Sequence, residues 1–431
     1  MFTAKASISL YNPRNVIKLT FPGVISCRMI LMARSLLSLL AGGAMLLPAT
    51  ALSSSRKPGE PIVERIVIVM RHGIRAPLAS EVPQGTRIAT PWPRWPVEES
   101  RLTPHGIRAL ETVAAADRRR FIALGVLPRG CAAPGAIRIR TNVSDRTIAS
   151  GEAYARGIAP GCGLAAEHLE AGAIDPIFEP LRAGATRFDA NRAVAEIERF
   201  TGGMRALAAR HADTIALLDR ILGCAPRGTG CTPDAPARVS PSPDGRGIEL
   251  QGPIRDTSGI AQVLLLQYVE GLPLRDVGWG RADPAALTRI GALHAALFDV
   301  FTRSPYMASH QAAVLGRHVM ETLADPRGPR IEVLMGHDTN VTALGAVLRT
   351  SLRAPGYAVD DVPPGGAILI ERLRDRKSGR RYVRLSYRTQ SPQALRSGSA
   401  AASIRPLTMA GCTHLCPADR FMQLLQSRLA E

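Results

Sequence analysis

The sequence predicts an α/β chain: a mixed, mainly parallel sheet flanked by helices, with an inserted all-helical domain. Three observations predict it. Short apolar runs stop abruptly on charged residues, at Val63–Met70 before Arg71-His72-Gly73-Ile74-Arg75-Ala76-Pro77 and at Ile331–Met335 before Gly336-His337-Asp338-Thr339-Asn340. Between them, from about residue 181 to 300, the apolar spacing changes to three- and four-residue steps. Beyond the second run, Gly365–Leu373 and Arg381–Thr389 read as a hairpin around Asp375–Arg380.

Residues 1–51 read as an N-terminal extension and signal peptide. Arg34 precedes the apolar stretch Ser35–Leu47, and Pro48-Ala49-Thr50-Ala51 supplies an A-x-A-type cleavage signal. Met29 and Met32 are alternative starts. The stretch is too short for an ordinary membrane span, although a retained anchor is the competing reading. The expectation is export to a periplasm, with no membrane attachment of the mature chain.

Residues 52–180 form the first part of the α/β domain on this reading. The β-branched run Ile66–Val69 is a buried strand, and Gly73 lets the chain turn tightly after it. Thr90–Pro96 is too proline-rich for regular structure. A helix starts at Leu102–Gly106, with Thr103 as cap and Pro104 in the first turn, and runs to about Leu124. Ala136–Thr141 is a second strand; Asn142–Arg146 follows at its carboxyl end, and helical spacing runs from Asp145 through Gly157. In the insertion, residues 181–300, Val194, Ile197, Phe200, Met204 and Leu207 share a helix face. Thr214–Leu222, Ser258–Glu270 and Pro284–Phe301 are further helices. The Gly/Pro/Ser-rich Cys224–Pro253 reads as a long surface loop. Residues 301–431 return to the α/β domain.

The chain has 431 residues, 46% of them hydrophobic, enough for a large core and two domains. Only Lys5, Lys18, Lys57 and Lys377 are lysines among 54 basic residues, so only arginines placed in motifs carry weight. Net charge is +18, and +13 without residues 1–51, which hold five basic residues and no acids. That balance favours anionic partners. Nucleic acid is excluded: there is no zinc-finger spacing and no basic run interleaved with aromatics. A small phosphorylated substrate fits better. With Cys27 in the removed segment, six cysteines remain, and six admit fifteen pairings of which the sequence selects none. The close pairs Cys224/Cys231 and Cys412/Cys416 suggest local loops, leaving Cys131 with Cys162. Disulfides agree with an oxidising compartment, and the spacings match no usual zinc pattern.

In α/β sheets, ligands bind beyond the carboxyl ends of the strands. Arg71/His72/Arg75, Arg146 and His337/Asp338 each follow such an end. Guanidinium forks match phosphate oxygens, and an imidazole between two of them is a candidate nucleophile. Taken singly, Asp338 could be a helix cap beside a packed His337, and Arg146 a surface helix residue. Together they point to phosphoryl transfer through a histidine.

These motifs resemble the histidine acid phosphatases, the second branch of the histidine phosphatase superfamily. The similarity continues through Trp95-Pro-Val, Leu102-Thr-Pro-His-Gly, Asp145-Arg-Thr, Ser150-Gly-Glu-Ala-Tyr, Gly157-Ile-Ala-Pro-Gly-Cys162, Asp175-Pro-Ile-Phe, Gly278-Trp-Gly, Pro363-Pro-Gly-Gly and Ala410-Gly-Cys412. It is strongest toward the bacterial periplasmic phytases and glucose-1-phosphatases. The resemblance implies an α/β domain with a helical insertion and no metal or other cofactor. By matching position, His72 would be the nucleophile, Arg71, Arg75, Arg146 and His337 would bind phosphate, and Asp338 would be the acid and then the base. Leu78 and Ala79 stand where phytases of this group usually carry a basic or hydroxyl residue. Gln267-Tyr268-Val269-Glu270-Gly271 is similar to the glucose-1-phosphatase subgroup, which would make Glu270 a sugar contact rather than a solvated helix-end charge; Gln262 stands where some phytases have an acid. The expected function is an acid phosphomonoesterase acting on sugar phosphates. Alternatives are a phytase-type activity, a first-branch mutase (which lacks the Arg-x-Pro after His-Gly), and a phosphate-ester binding protein without turnover.

Overall fold

The computed structural model describes residues 60–224 and 230–431; the expected signal peptide and Cys27 lie outside the described residues. Strand β1 (Ile62–Arg71) turns Ile66, Ile68 and Met70 to one side and Val67 and Val69 to the other, all fully buried. Burial on both faces explains why its sequence is continuously apolar rather than alternating. Helix α1 (Pro104–Ala123) begins as expected, with Thr103 Oγ1 accepting from the Gly106 amide at 2.9 Å. Strand β2 (Ile137–Thr141) leads into α2 (Asp145–Ile158).

Helices α3 (Ala190–Thr201), α4 (Met204–Arg210) and α5 (Ala212–Leu222) follow. The expected loop from Cys224 to Pro253 needs correction, and with it the expectation of a wholly helical insertion. It contains an antiparallel hairpin, β3 (Arg238–Pro241) with β4 (Ile248–Gln251). Val239, Ile248 and Leu250 are buried and alternate with exposed residues, but four-residue strands in this composition leave too short a pattern to read. Helix α6 (Pro253–Glu270) starts at Pro253 rather than Ser258, because proline suits the first helical position. The chain continues through α7 (Pro284–Phe298), extended by a π turn to Arg303, then α8 (Pro305–Gln311) and α9 (Ala313–Ala324). Strand β5 (Ile331–Gly336) and helix α10 (Asp338–Val347) are followed by β6 (Ala367–Arg374), β7 (Arg381–Thr389), α11 (Pro392–Ser397), β8 (Ser403–Leu407), β9 (Leu415–Pro417) and α12 (Ala418–Gln426).

The main sheet runs β2-β5-β1-β6-β7-β8, with β9 also on β7. It is mixed, as expected, but its parallel part is confined to β2–β5–β1; every later pairing is antiparallel. For β6 and β7 the reason is connection length, since the short turn over Asp375–Arg380, expected as a hairpin, can only make an antiparallel pair. The parallel part positions the site. Arg71 lies opposite Gly336 and Thr141 opposite Met335, so the three carboxyl ends stand level. Helices α1 and α2 pack on the face carrying Ile66, Ile68 and Met70; α6, α7 and α10 share the other core with Val67 and Val69.

Disulfides join Cys131–Cys162, Cys224–Cys231 and Cys412–Cys416, the pairs that the spacing suggested. Close packing of α1 on α2 depends on Gly157, where an added Cβ would lie 2.4 Å from the Glu111 carbonyl oxygen. Gly157→Ala is therefore expected to destabilise the fold by about 1–3 kcal/mol. Denaturant unfolding of wild type and variant checks it; an unchanged midpoint would contradict this packing.

Candidate active site

Backbone hydrogen bonds fix the three strand ends before any side chain is considered. The His72 amide donates to the Gly336 carbonyl at 2.9 Å and the Asn142 amide to the Met335 carbonyl at 3.0 Å. On the other side of β1, the Gly365 amide donates to the His72 carbonyl at 3.0 Å. Gly73 has no positive φ, contrary to the turn expected there; a Cβ would meet Leu110 Cδ1 at 2.7 Å, so glycine is needed for packing.

Arg71, His72 and Arg75 are all buried. His72 Nδ1 lies 2.8 Å from the Gly73 carbonyl, an acceptor that holds the proton on Nδ1 and leaves Nε2 with its lone pair. Arg71 Nη2 is 2.9 Å from Asp338 Oδ2 and donates to Gln262 Oε1 at 3.0 Å, while Nη1 donates to the Val362 carbonyl. Arg75 forms a two-point pair with Glu81, at 2.9 and 2.5 Å. Arg146 donates to Ser100 Oγ at 2.8 Å and faces His337 Nδ1 at 3.4 Å. His337 Nε2 lies 3.2 Å from Asn142 Oδ1, which makes Nε2 the donor and Nδ1 the acceptor. The rings of His72 and His337 stand edge to face with centroids 5.6 Å apart.

Burial and the surrounding guanidinium groups act on these side chains in one direction. Burial, then Arg71, Arg146 and Arg75, hold His72 well below the usual histidine range. Burial and Arg146 bring His337 down to about 3. Burial raises the Asp338 carboxyl, but Arg71, His294 and His337 outweigh it and leave a pKa of about 2. Arg146 itself falls to about 10 through burial and Arg75. Both histidines are thus neutral and the carboxylate charged. Among the described residues Arg146 has no carboxylate within ion-pair distance, and Arg71, Arg75 and Arg146 each keep a buried Nε–H without a partner. The amino ends of α2 and α10 begin at Asp145 and Asp338, directly after β2 and β5. Spare guanidinium donors beside two helix amino ends are a setting for an oxyanion. No group of three or more His, Cys, Asp or Glu side chains among the described residues is arranged to hold a metal ion.

The family model "Histidine phosphatase superfamily (branch 2)" matches residues 62–181 and 282–388. The chain belongs to that superfamily branch. Phytase AppA of Escherichia coli (strain K12) is 30% identical over 422 residues, covering 89% of this chain and 96% of that protein. A glucose-1-phosphatase of Salmonella typhimurium is 28% identical over 424 residues, 92% and 99% of the two chains. The solved Hafnia alvei phytase in complex with tartrate superposes with TM-score 0.79 at 29% identity, over 86% of this chain and 98% of that one. The Klebsiella sp. ASR1 phytase has TM-score 0.79 at 28% identity, over 86% and 96%. The protein is accordingly an enzyme, a histidine acid phosphatase that hydrolyses phosphoric monoesters.

In this histidine phosphatase the predicted residues Arg71, His72, Arg75, Arg146, His337 and Asp338 come together through the contacts described above. Glu270 does not join them by any hydrogen bond. Its carboxylate accepts from Thr103 Oγ1 at 2.6 Å, where burial raises its pKa, and Thr103 is the cap of α1. Sequence reading passed over Glu81, Asn142, Asn340, His294 and Asp361. Asn340 Oδ1 accepts from the His337 amide at 2.9 Å and its Nδ2 donates to the Phe178 carbonyl at 2.8 Å, fixing the start of α10. Only Asn142 and Asn340 carried a signal, since both lie in strand-end segments already singled out. A cavity of about 290 Å3 is lined by Ala76 and Leu78, in the segment that follows Arg75 in the chain, and by Val82, Trp92, Trp95 and Val263 among others; among the described residues Glu99 is the only charged one lining it.

A neutral His337 has a consequence for stability. In the ligand-free fold it takes up a proton near pH 3, but in the unfolded chain near 6.5, so the unfolded state binds more protons in between. Stability should decline as pH falls from about 6.5 toward 3, with His72 acting in the same sense. Thermal unfolding across that window is expected to show a shallower decline in His337→Asn; equal slopes would refute the assignment.

Proposed function

We propose that this enzyme hydrolyses monophosphate esters through a phosphohistidine on His72. The observation that carries the reading is the state of His72: buried, deprotonated at Nε2, and set among Arg71, Arg75 and Arg146. Nε2 attacks phosphorus while the ester P–O bond breaks, and Asp338 protonates the departing alkoxide. Water then attacks phosphorus, Asp338 takes its proton, and the N–P bond breaks to release phosphate. Arg71, Arg75, Arg146 and His337 hold the oxygens, which is most of what phosphoryl transfer asks of a protein. A dianion arriving beside Asp338 raises its pKa, and low pH assists, so the optimum is acidic.

For the substrate, the cavity lined by the residues that follow Arg75 in the chain supports an ester with one phosphate and an uncharged sugar-like group. Its walls are apolar and aromatic, and its single charge, Glu99, repels further phosphates. Phytase activity is the second reading, favoured by the likeness to phytases. On the same proposal, residues 52–180 and 301–431 build the α/β domain, 181–300 is an insertion supplying α6 and α7, and the chain is exported to the periplasm.

The test is phosphate release by the mature protein at about pH 4–5. The panel is glucose 1-phosphate, phytate, a sugar bisphosphate and an aryl phosphate. Glucose 1-phosphate should exceed phytate in kcat/KM by about tenfold or more; the reverse order would favour the phytase reading. His72→Ala should reduce release to background and lose the acid-labile phosphate that rapid quenching traps on wild type. Undiminished turnover, or an optimum well above neutrality, would refute the mechanism.

A further inference from the structure

Asp338 must carry a proton when the ester bond breaks, yet its nearest partner is a guanidinium that favours the carboxylate. Three buried side chains outside the phosphate cradle close a ring around this pair. Gln262 Oε1 accepts from Arg71 at 3.0 Å, and Gln262 Nε2 donates to Asp361 Oδ1 at 3.3 Å. Asp361 Oδ1 lies 2.9 Å from His294 Nδ1, and His294 Nε2 lies 3.8 Å from Asp338 Oδ2. Gln262, His294 and Asp361 come from α6, α7 and the turn before β6, and all are nine-tenths or more buried. Phe298 packs edge-on against the imidazole at 4.5 Å.

Chemistry assigns a direction to this ring. A buried carboxylate is costly unless a donor meets it, and the His294 Nδ1–H is that donor. Asp361 thereby holds a proton on Nδ1 and turns Nε2 toward Asp338, the logic by which a carboxylate orients an imidazole. The remaining 3.8 Å is within one water or a small side-chain shift, as in many ligand-free sites. Other ionisable groups bear on the same ring. Arg71, His337 and Arg75 act on Asp338, and the buried Tyr357 and Tyr387 neighbour Asp361.

We propose that His294, held by Asp361, is a positioning residue that loads Asp338 with its proton and takes it back within each turnover. This rests on the reading of Asp338 as acid and base. The cycle starts from the form with Asp338 as carboxylate and a proton on each nitrogen of His294. Arrival of the phosphate dianion moves the Nε2 proton to Asp338. As the bond from His72 Nε2 to phosphorus forms and the ester bond breaks, the ester oxygen takes that proton. In the second half Asp338 removes a proton from the attacking water and returns it to His294 Nε2. The dyad ends as it began, and the sum is ester plus water to alcohol plus hydrogen phosphate.

The test compares pre-steady-state alcohol release from two esters, 4-nitrophenyl phosphate, whose leaving group needs no acid, and a simple alkyl phosphate, whose leaving group does. Asp338→Asn and His294→Gln are measured beside wild type from pH 3 to 7, a range flanking the acidic working region. His294→Gln is expected to slow the alkyl ester by about 10- to 100-fold and the aryl ester by less than about threefold. It should also shift the acid limb of the alkyl profile. Equal losses on both esters, or no loss on either, would overturn the proposal. Asp338→Asn separates the two levels. If it shows the split and His294→Gln does not, the relay is wrong and the acid role stands; if it shows none, both fall. Should His294→Gln fail to fold, Asp361→Asn carries the same comparison, with a split of the same sign expected and its absence counting against the relay.

Discussion

Crowding of buried positive charge is the constraint from which the site follows. Arg71, Arg75 and Arg146 sit close enough to act on the same two histidines, and removing such groups from water is costly unless their donors are used. Each is answered differently. Arg71 is met by Asp338, Gln262 and the Val362 carbonyl, Arg75 by the two oxygens of Glu81, and Arg146 only by neutral partners. Complete neutralisation would stabilise the empty cleft and leave an anion nothing to bind. Partial neutralisation leaves the Arg146 charge without a carboxylate and three Nε–H donors unspent, and burial together with the residual field keeps both imidazoles unprotonated. On the proposed mechanism, anion binding and nucleophilicity therefore draw on the same charges.

Placing those charges depends on the sheet. Residues more than 260 apart in sequence, His72 and His337, are neighbours because β1 and β5 pair in parallel register and both end at the same level. A second network steadies His72 from the opposite side. Arg388 on β7 donates to the Gly365 carbonyl at 2.7 Å and pairs with buried Asp117 at 3.2 Å, to which Tyr154 also donates. Gly365 in turn holds the His72 carbonyl. The backbone of His72, the proposed nucleophile, is thus clamped between two strand ends, the kind of support that rigid elements provide and loops do not.

Legibility in the sequence tracks how local each signal is. Charged residues directly after an apolar run are a local pattern, so Arg71, His72, Arg75, Arg146, His337 and Asp338 could be read together with the strands that carry them. Gln262 and His294 lie in α6 and α7, where apolar neighbours make a single polar residue read as part of a core helix face. Asp361 lies in a turn and Glu81 in a short helical turn; their meaning exists only once distant partners are in place. The hairpin β3–β4 was hidden by strand length, whereas β6–β7 was legible as a hairpin; the antiparallel pairing of β6 with β1 joins strands far apart in sequence and left no local pattern. Glu270 was read through similarity of its segment, whereas its hydrogen bond is with the cap of α1.

In the proposed mechanism Arg71 and Asp338 pose the sharpest physical conflict, because one contact serves two opposed needs. A guanidinium 2.9 Å away, at the amino end of a helix, stabilises the carboxylate that activation of water requires. Donation of a proton requires the other state. The conflict resolves only if charge is exchanged during the cycle. A phosphate dianion competes for the Arg71 and Arg75 donors, weakens their hold on Asp338 and Glu81, and adds negative charge beside both carboxylates. Each change raises the affinity of Asp338 for a proton at the moment the ester is in place. Once the phosphoryl group is on His72 and the alcohol has left, the carboxylate state is again the one needed. Substrate binding and proton uptake are linked by this argument, so the enzyme needs no carboxyl group that is permanently acidic, only one whose strongest partner can be drawn away.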